Sequence, residues 1–474
     1  MKTRSPRFSA ALLLSIFLLT GCGTGPDSSL LSPESAAERS TTSASSAQDK
    51  TDTPADTTAD TTAQDMTALP DTASAAGTTE PGTAGSTAPD TAATRITQGT
   101  RATRTSAAAG TSAAGSTEKP TETEASVTSS SAVTRAEPEL PTGNLRDTVA
   151  AMTVEQKCAQ MILCTCSDQG TAMAAVKAGV GGLCLFAKPF SGKTKQQVRD
   201  MNAAFQQNAK LPLLISVDEE GGTVNRVSLN PNLRAVPFWG PKALFAEGGW
   251  DLVTSDTKEK AELLLDLGVN VNLAPVCDVP LDASNYIYNR CFSLNADETA
   301  EYIRVVVSEM RADGLGSTLK HFPGYGGSVD THKNMGYDDR DYSAFTDGDF
   351  KPFRAGIRAG ADAVMVSHNI VSCMDSDYPA SLSAAVHEIL RDDLGFKGVV
   401  ISDDLGMDAI KQFSGGKNPA VAAVLAGNDL ICYSDYQSSI AAIVQAVNAG
   451  TIEESRIDES VLRILQWKRR LGLL

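Results

Sequence analysis

The chain from residue 144 to 474 is predicted to be an α/β protein, a (β/α)8 barrel of the TIM type. Three observations predict it. Short apolar, β-branched runs alternate with helix-like stretches to the end of the chain, the runs number eight, and polar residues gather where the runs end.

Taken in order, the runs are Met161–Cys166, Gly182–Phe186, Leu213–Asp218, Asn270–Val276, Ser317–His321, Ala363–His368, Gly398–Asp403 and Asp429–Tyr433. Each is short enough for a strand. Helical periodicity marks Lys195–Gln207, Lys258–Leu267, Ala296–Ala312, Ala384–Asp393 and Gln437–Ala449, with Gly395 and Gly450 as stop signals after the last two. Barrel enzymes work at the carboxyl ends of their strands. The sequence Asp218-Glu219-Glu220-Gly221-Gly222 closes the third run, Pro275-Val276-Cys277-Asp278 the fourth and Lys320-His321-Phe322-Pro323-Gly324 the fifth. Ser367-His368 closes the sixth and Ser402-Asp403-Asp404 the seventh.

Ahead of the barrel, residues 1–22 have a basic start, an apolar run and Leu19-Thr20-Gly21-Cys22. This reads as a lipoprotein signal peptide ending at a lipobox, with Cys22 as the lipidated residue and an extracytoplasmic, membrane-anchored location. Residues 23–143 are rich in Thr, Ser and Ala and have little to bury, so a disordered linker is expected there.

The formal charge of −16 argues against nucleic acid and against a basic membrane-binding patch, leaving the lipid anchor as the link to a membrane. Eight cysteines fall in the barrel region without Cys-x-x-Cys spacing, mostly in strand-like runs, where they read as small buried apolar residues. No metal or cofactor motif is found, and a monomer is expected.

Lys320-His321-Phe322-Pro323-Gly324-Tyr325-Gly326 leads into a Gly-rich loop ending Asp330-Thr331-His332. This run resembles the signature of the bacterial single-domain β-N-acetylhexosaminidases of glycoside hydrolase family 3. The likeness extends through Ala426-Gly427-Asn428-Asp429 to Arg456-Ile457-Asp458-Glu459-Ser460-Val461. It implies a retaining, exo-acting hydrolase that needs no cofactor and removes terminal β-linked N-acetylglucosamine. From an extracytoplasmic location, its partners would be muropeptides or other N-acetylglucosamine oligosaccharides, cell-wall turnover being favoured over chitin.

The same resemblance implies roles. Asp330 and His332 map onto an Asp-His pair that replaces a carboxylate proton donor. Residues two apart in an extended loop point the same way, so Asp330 can hold one ring nitrogen of His332 while the other faces the leaving oxygen. Asp403 matches the nucleophile, and strand alternation turns Asp404 the other way. Asp218, Arg226, Arg290, Lys320 and His321 match sugar-contacting positions, with rim salt bridges as the structural alternative. Glu219 and Thr223 depart from the family's common Gln and Arg, which bears on fine specificity. His368 matches a position near the sugar, with a structural bond as an equal alternative, and His387 reads as a surface residue on a helix.

Three other readings remain open. One is a β-glucosidase or β-xylosidase of the same family, although those typically carry a second domain. Another is a phosphorylase, since a histidine acid does not repel incoming phosphate. The third is a surface sugar-binding lipoprotein without turnover.

Overall fold

The computed structural model describes residues 143–327, 330–331 and 334–474. The signal peptide, Cys22, nearly all of the expected linker and His332 lie outside them.

All eight predicted strands form. They are β1 (Ile162–Cys166), β2 (Gly182–Leu185), β3 (Leu214–Val217), β4 (Val271–Asn272), β5 (Gly316–Phe322), β7 (Ala363–Val366), β9 (Val399–Ser402) and β10 (Ile431–Cys432). Two further short strands, β6 (Tyr337–Asp338) and β8 (Ile370–Val371), pair with each other outside the barrel. The main sheet runs β10-β1-β2-β3-β4-β5-β7-β9, with every pair parallel. A bridge between Ile401 and Leu430 brings β9 alongside β10 and closes the ring. The barrel is therefore the predicted one.

Its walls are buried throughout, because each strand is covered by the core on one side and helices on the other. Helix starts are fixed locally. Thr194 and Gln197 form a reciprocal capping box, and Asn295 accepts from the backbone N–H groups of Asp297 and Glu298. The helix at Ala296–Ala312 and that at Phe350–Ala359 meet across Gly356, where a methyl group would strike Leu319 and Ile303.

Two of the expected helices differ from the sequence reading. The one expected over Lys258–Leu267 begins at Pro241, with a kink at Gly248 and Gly249. The one over Ala384–Asp393 is α-helical only to Glu388 and then widens into a π turn over Ile389–Asp393. His387, in the α-helical part, is only 3% exposed, which corrects its reading as a surface residue. Its Nδ1 bonds the Ser383 carbonyl at 2.8 Å, its ring packs on Gly427, and burial lowers its pKa.

The motifs near the chain end hold the barrel's closing seam. Buried Asp429 accepts from Arg391 at 2.6 Å, Arg463 at 3.0 Å, Ser460 at 2.6 Å and the Val400 N–H at 3.0 Å. Asn428 donates to the Ser381 and Ala423 carbonyls. These residues lie at the amino ends of the strands, where barrel residues serve stability.

All eight cysteines of the barrel are free; seven are buried, while Cys373, outside the strand-like runs, is exposed on a turn. Among the described residues no helix is long and apolar enough to span a membrane.

Candidate active site

At the carboxyl end of β3, Asp218 meets two cations. Lys320 Nζ, from β5, donates to its Oδ1 at 2.8 Å, and Arg226 Nη2 approaches its Oδ2 at 3.4 Å. Lys320 also reaches Glu220 Oε1 at 2.6 Å. Glu220 in turn accepts a two-pronged bond from Arg290 at 2.9 and 2.8 Å, the planar geometry that suits guanidinium and carboxylate.

The network continues into a histidine. Arg290 Nη2 lies 3.2 Å from His321 Nε2, and His321 Nδ1 lies 2.7 Å from Asp278 Oδ2. A guanidinium can only donate, so Nε2 accepts, and the ring hydrogen sits on Nδ1 facing Asp278. Asp278 also accepts from the Tyr325 N–H at 2.8 Å. Five residues expected to hold sugar, Asp218, Arg226, Arg290, Lys320 and His321, are thus joined in one charged cluster.

Consecutive residues of a regular strand face opposite ways, yet Lys320 and His321 both enter this cluster. The pairing of β5 with β7 shifts register between Leu319 and Phe322, which breaks the alternation where two adjacent side chains are needed.

Burial tunes the charges. Desolvation alone would raise the Glu220 carboxyl, but Arg290 and Lys320 outweigh it and hold it well below the usual range. Desolvation would likewise lower Lys320, and the Asp218 and Glu220 carboxylates more than offset it, leaving it raised.

Glu220 and Asp278 were visible in the sequence only as strand-end polar residues, without a role. Glu220 ties two cations together, and Asp278 fixes the His321 ring. Glu219, the departure from the common Gln, is fully buried and points away from this cluster. It accepts from the backbone N–H groups of Arg226 (2.7 Å), Val227 (2.7 Å) and Ser228 (3.0 Å), and from the Ser228 hydroxyl. It therefore sets the backbone that carries Arg226. Thr223, the other departure, is exposed.

On the opposite side, Asp403 follows β9, with its N–H bonded to the Val366 carbonyl at 2.9 Å. Its Oδ1 accepts from the Asp404 N–H at 2.9 Å, while Asp404 Oδ1 accepts from the Gly406 N–H at 2.9 Å and so shapes the turn. His368 is wedged beneath, with Nδ1 at 2.7 Å from Ser381 Oγ and Nε2 donating to the Asp404 carbonyl at 3.0 Å. These contacts give His368 a structural bond to the Asp403-Asp404 turn.

Tyr325 lies between the halves. Its hydroxyl is 2.6 Å from Thr331 Oγ1, next to Asp330, and its phenol is raised by burial and then by the negative charge of Asp403. Tyr286 packs edge-on against Tyr325, with ring centroids 5.7 Å apart, and burial pushes its phenol well up. Among the described residues, no group of three or more His, Cys, Asp or Glu is placed to hold a metal ion.

A parallel (β/α)8 barrel with carboxylates and cations gathered at its carboxyl-end mouth belongs to the class of barrel enzymes, and here it is a glycoside hydrolase. Residues 153–467 match the model described as the glycosyl hydrolase family 3 N terminal domain, and the chain belongs to that family. A beta-hexosaminidase of Xanthomonas campestris pv. campestris is 35% identical over 284 residues, covering 59% of this chain and 84% of that protein. A beta-hexosaminidase of Stenotrophomonas maltophilia is 37% identical over 287 residues, covering 57% and 82%. Among solved structures, a family 3 β-N-acetylglucosaminidase from Paenibacillus sp. str. FPU-7 is similar with a TM-score of 0.64 and 33% identity. The match covers 68% of this chain and 63% of that one. A β-N-acetylhexosaminidase from Beutenbergia cavernae DSM 12333 gives a TM-score of 0.61 at 26% identity, covering 68% and 99%.

Proposed function

We propose that this protein is a retaining, exo-acting β-N-acetylhexosaminidase that removes terminal non-reducing β-linked N-acetylglucosamine. The observation that carries the reading is the charged network of Asp218, Lys320, Glu220, Arg290 and His321 at the mouth of a barrel that the glycosyl hydrolase family 3 model matches. Support comes from the similar proteins named beta-hexosaminidase.

Asp403 is the nucleophile. Its carboxylate attacks the anomeric carbon as the glycosidic C–O bond breaks, and the leaving oxygen takes a proton from His332, held by Asp330. Water then attacks the glycosyl ester and gives its proton to His332, and the ester C–O bond breaks to release Asp403. Two inversions leave the β configuration retained. Asp218, Arg226, Arg290, Lys320 and His321 bind the terminal sugar, through charge-assisted bonds that strengthen as its ring flattens.

We place the protein outside the cytoplasm, anchored through Cys22, as a monomer acting on muropeptides or other N-acetylglucosamine oligosaccharides. The test is nitrophenol release from β-N-acetylglucosaminide and β-glucoside substrates side by side, with and without phosphate. Preference for the acetylated sugar with free sugar as product supports the proposal. Sugar phosphate formed only with phosphate would make it a phosphorylase, glucoside preference a β-glucosidase, and binding without turnover a sugar-binding protein. Incorporation of labelled fatty acid that is lost in Cys22→Ala tests the anchor.

A further inference from the structure

Asp330 lies in the chain between Gly327 and Gly336, and the described residues at both ends of that stretch rest on one buried cluster. Arg340 is gripped from two sides. Its Nε and Nη2 donate to Asp338 at 2.9 and 2.7 Å, and its Nη1 donates to Asp349 at 2.9 Å. The two carboxylate side chains are only 1% and 3% exposed. Asp338 belongs to β6, Asp349 precedes the helix at Phe350–Ala359, and the Arg340 guanidinium also lies over the Phe345 ring.

The preceding end is pressed against this cluster. A methyl group on Gly324, whose φ is +131°, would collide with the Asp349 carboxylate. One on Gly327 would stand 3.0 Å from both Arg340 Nε and Asp338 Oδ2. The Gly326 carbonyl is fixed by the Leu281 N–H at 3.1 Å and Asn285 Nδ2 at 3.0 Å. The following end is pinned as well, since the Ile370 N–H donates to the Gly336 carbonyl and the Ser372 N–H to that of Asp338. Glycines at the contact allow backbone and charge cluster to touch, so any shift of the cluster moves the base of the loop.

We propose that Arg340, held between Asp338 and Asp349, is a positioning residue for proton donation: it fixes the base of the loop that carries Asp330. This rests on reading Asp330 and His332 as the proton-donating pair. A geometric error in an acid slows bond breaking most when the leaving group is basic and needs its proton early. It matters little for an acidic phenol.

The test measures kcat/KM on aryl β-N-acetylglucosaminides with leaving groups from dinitrophenol to phenol. The variants are Arg340→Lys, which keeps the charge but loses the fork, and the isosteric Asp349→Asn, which keeps the shape if Arg340→Lys does not fold. The expected result is a loss of about tenfold or more on the phenyl substrate with little loss on the dinitrophenyl one. A destabilised but correctly built site would lose activity equally on both, and that uniform loss, or no loss, would overturn the proposal. His332→Ala is the reference. A uniform loss in His332→Ala would instead overturn the reading of the acid, so the two failures are distinguishable.

Discussion

Lys320 Nζ stands 2.6 Å from Glu220 Oε1, with the two side chains only 2% and 3% exposed. Neither charge is tolerable there alone, since removing one partner of a buried pair strands the other. Lys320→Met leaves Asp218 and Glu220 short of a cation at the barrel mouth. The expected result is a loss of about 3 kcal/mol or more in folding stability, read from the denaturant midpoint. In the protein that still folds, kcat/KM is expected to fall roughly 100-fold.

Asp429 makes the opposite case, a buried carboxylate remote from chemistry. Asp429→Ala leaves Arg391 and Arg463 without their shared acceptor at the seam between β9 and β10. Stability should fall by about 3–5 kcal/mol, while kcat/KM per folded molecule, measured well below the new melting temperature, stays unchanged.

Glu219 links the backbone that carries Arg226 to both stability and turnover. Glu219→Gln replaces one accepting oxygen by an amide nitrogen facing backbone N–H groups, at a cost of about 1–2 kcal/mol. Because the affected backbone carries Arg226, whose bonds to the sugar strengthen in the transition state, kcat/KM should fall several-fold. Initial-rate kinetics beside a melting curve would show both.

Lys468 gives a pH dependence. It is wholly buried, its ammonium has Gln160 Oε1 at 2.7 Å as its hydrogen-bond acceptor, and burial lowers its pKa to about 7. With the folded value below the unfolded one, the unfolded chain takes up the proton first as pH falls. Stability from this group is therefore lost between about pH 10 and 7 and changes little below. Lys468→Met removes that slope and should stabilise the protein at pH 7 by about 1–2 kcal/mol after the unmet Gln160 acceptor is counted. Melting temperatures at pH 7 and 9.5 for both proteins test it.

Much of this fold was legible because parallel strands are short, apolar and bounded by polar ends, and all eight could be placed. The kinked start of the helix at Pro241 was hidden, since Gly248 and Gly249 look like a break between elements. His387 was misplaced because a lone polar residue on a helix reads as solvent-facing until the packing of its ring on Gly427 is in view. Lys320 and His321 were legible as a pair through a motif, although regular strand alternation turns neighbours opposite ways. Glu220 and Asp278 were indistinguishable from other strand-end carboxylates until their partners, brought from β5 and from Arg290, were in view.

The most direct test of the account is covalent trapping of Asp403. A fluorinated N-acetylglucosaminyl fluoride, which forms the glycosyl ester faster than water can break it, is incubated with the protein, and the digest is read by mass spectrometry. The account predicts one added sugar on the peptide spanning Ser402-Asp403-Asp404, located on Asp403 and missing from Asp403→Asn. A sugar on another residue, or unchanged hydrolysis by Asp403→Asn, would contradict it.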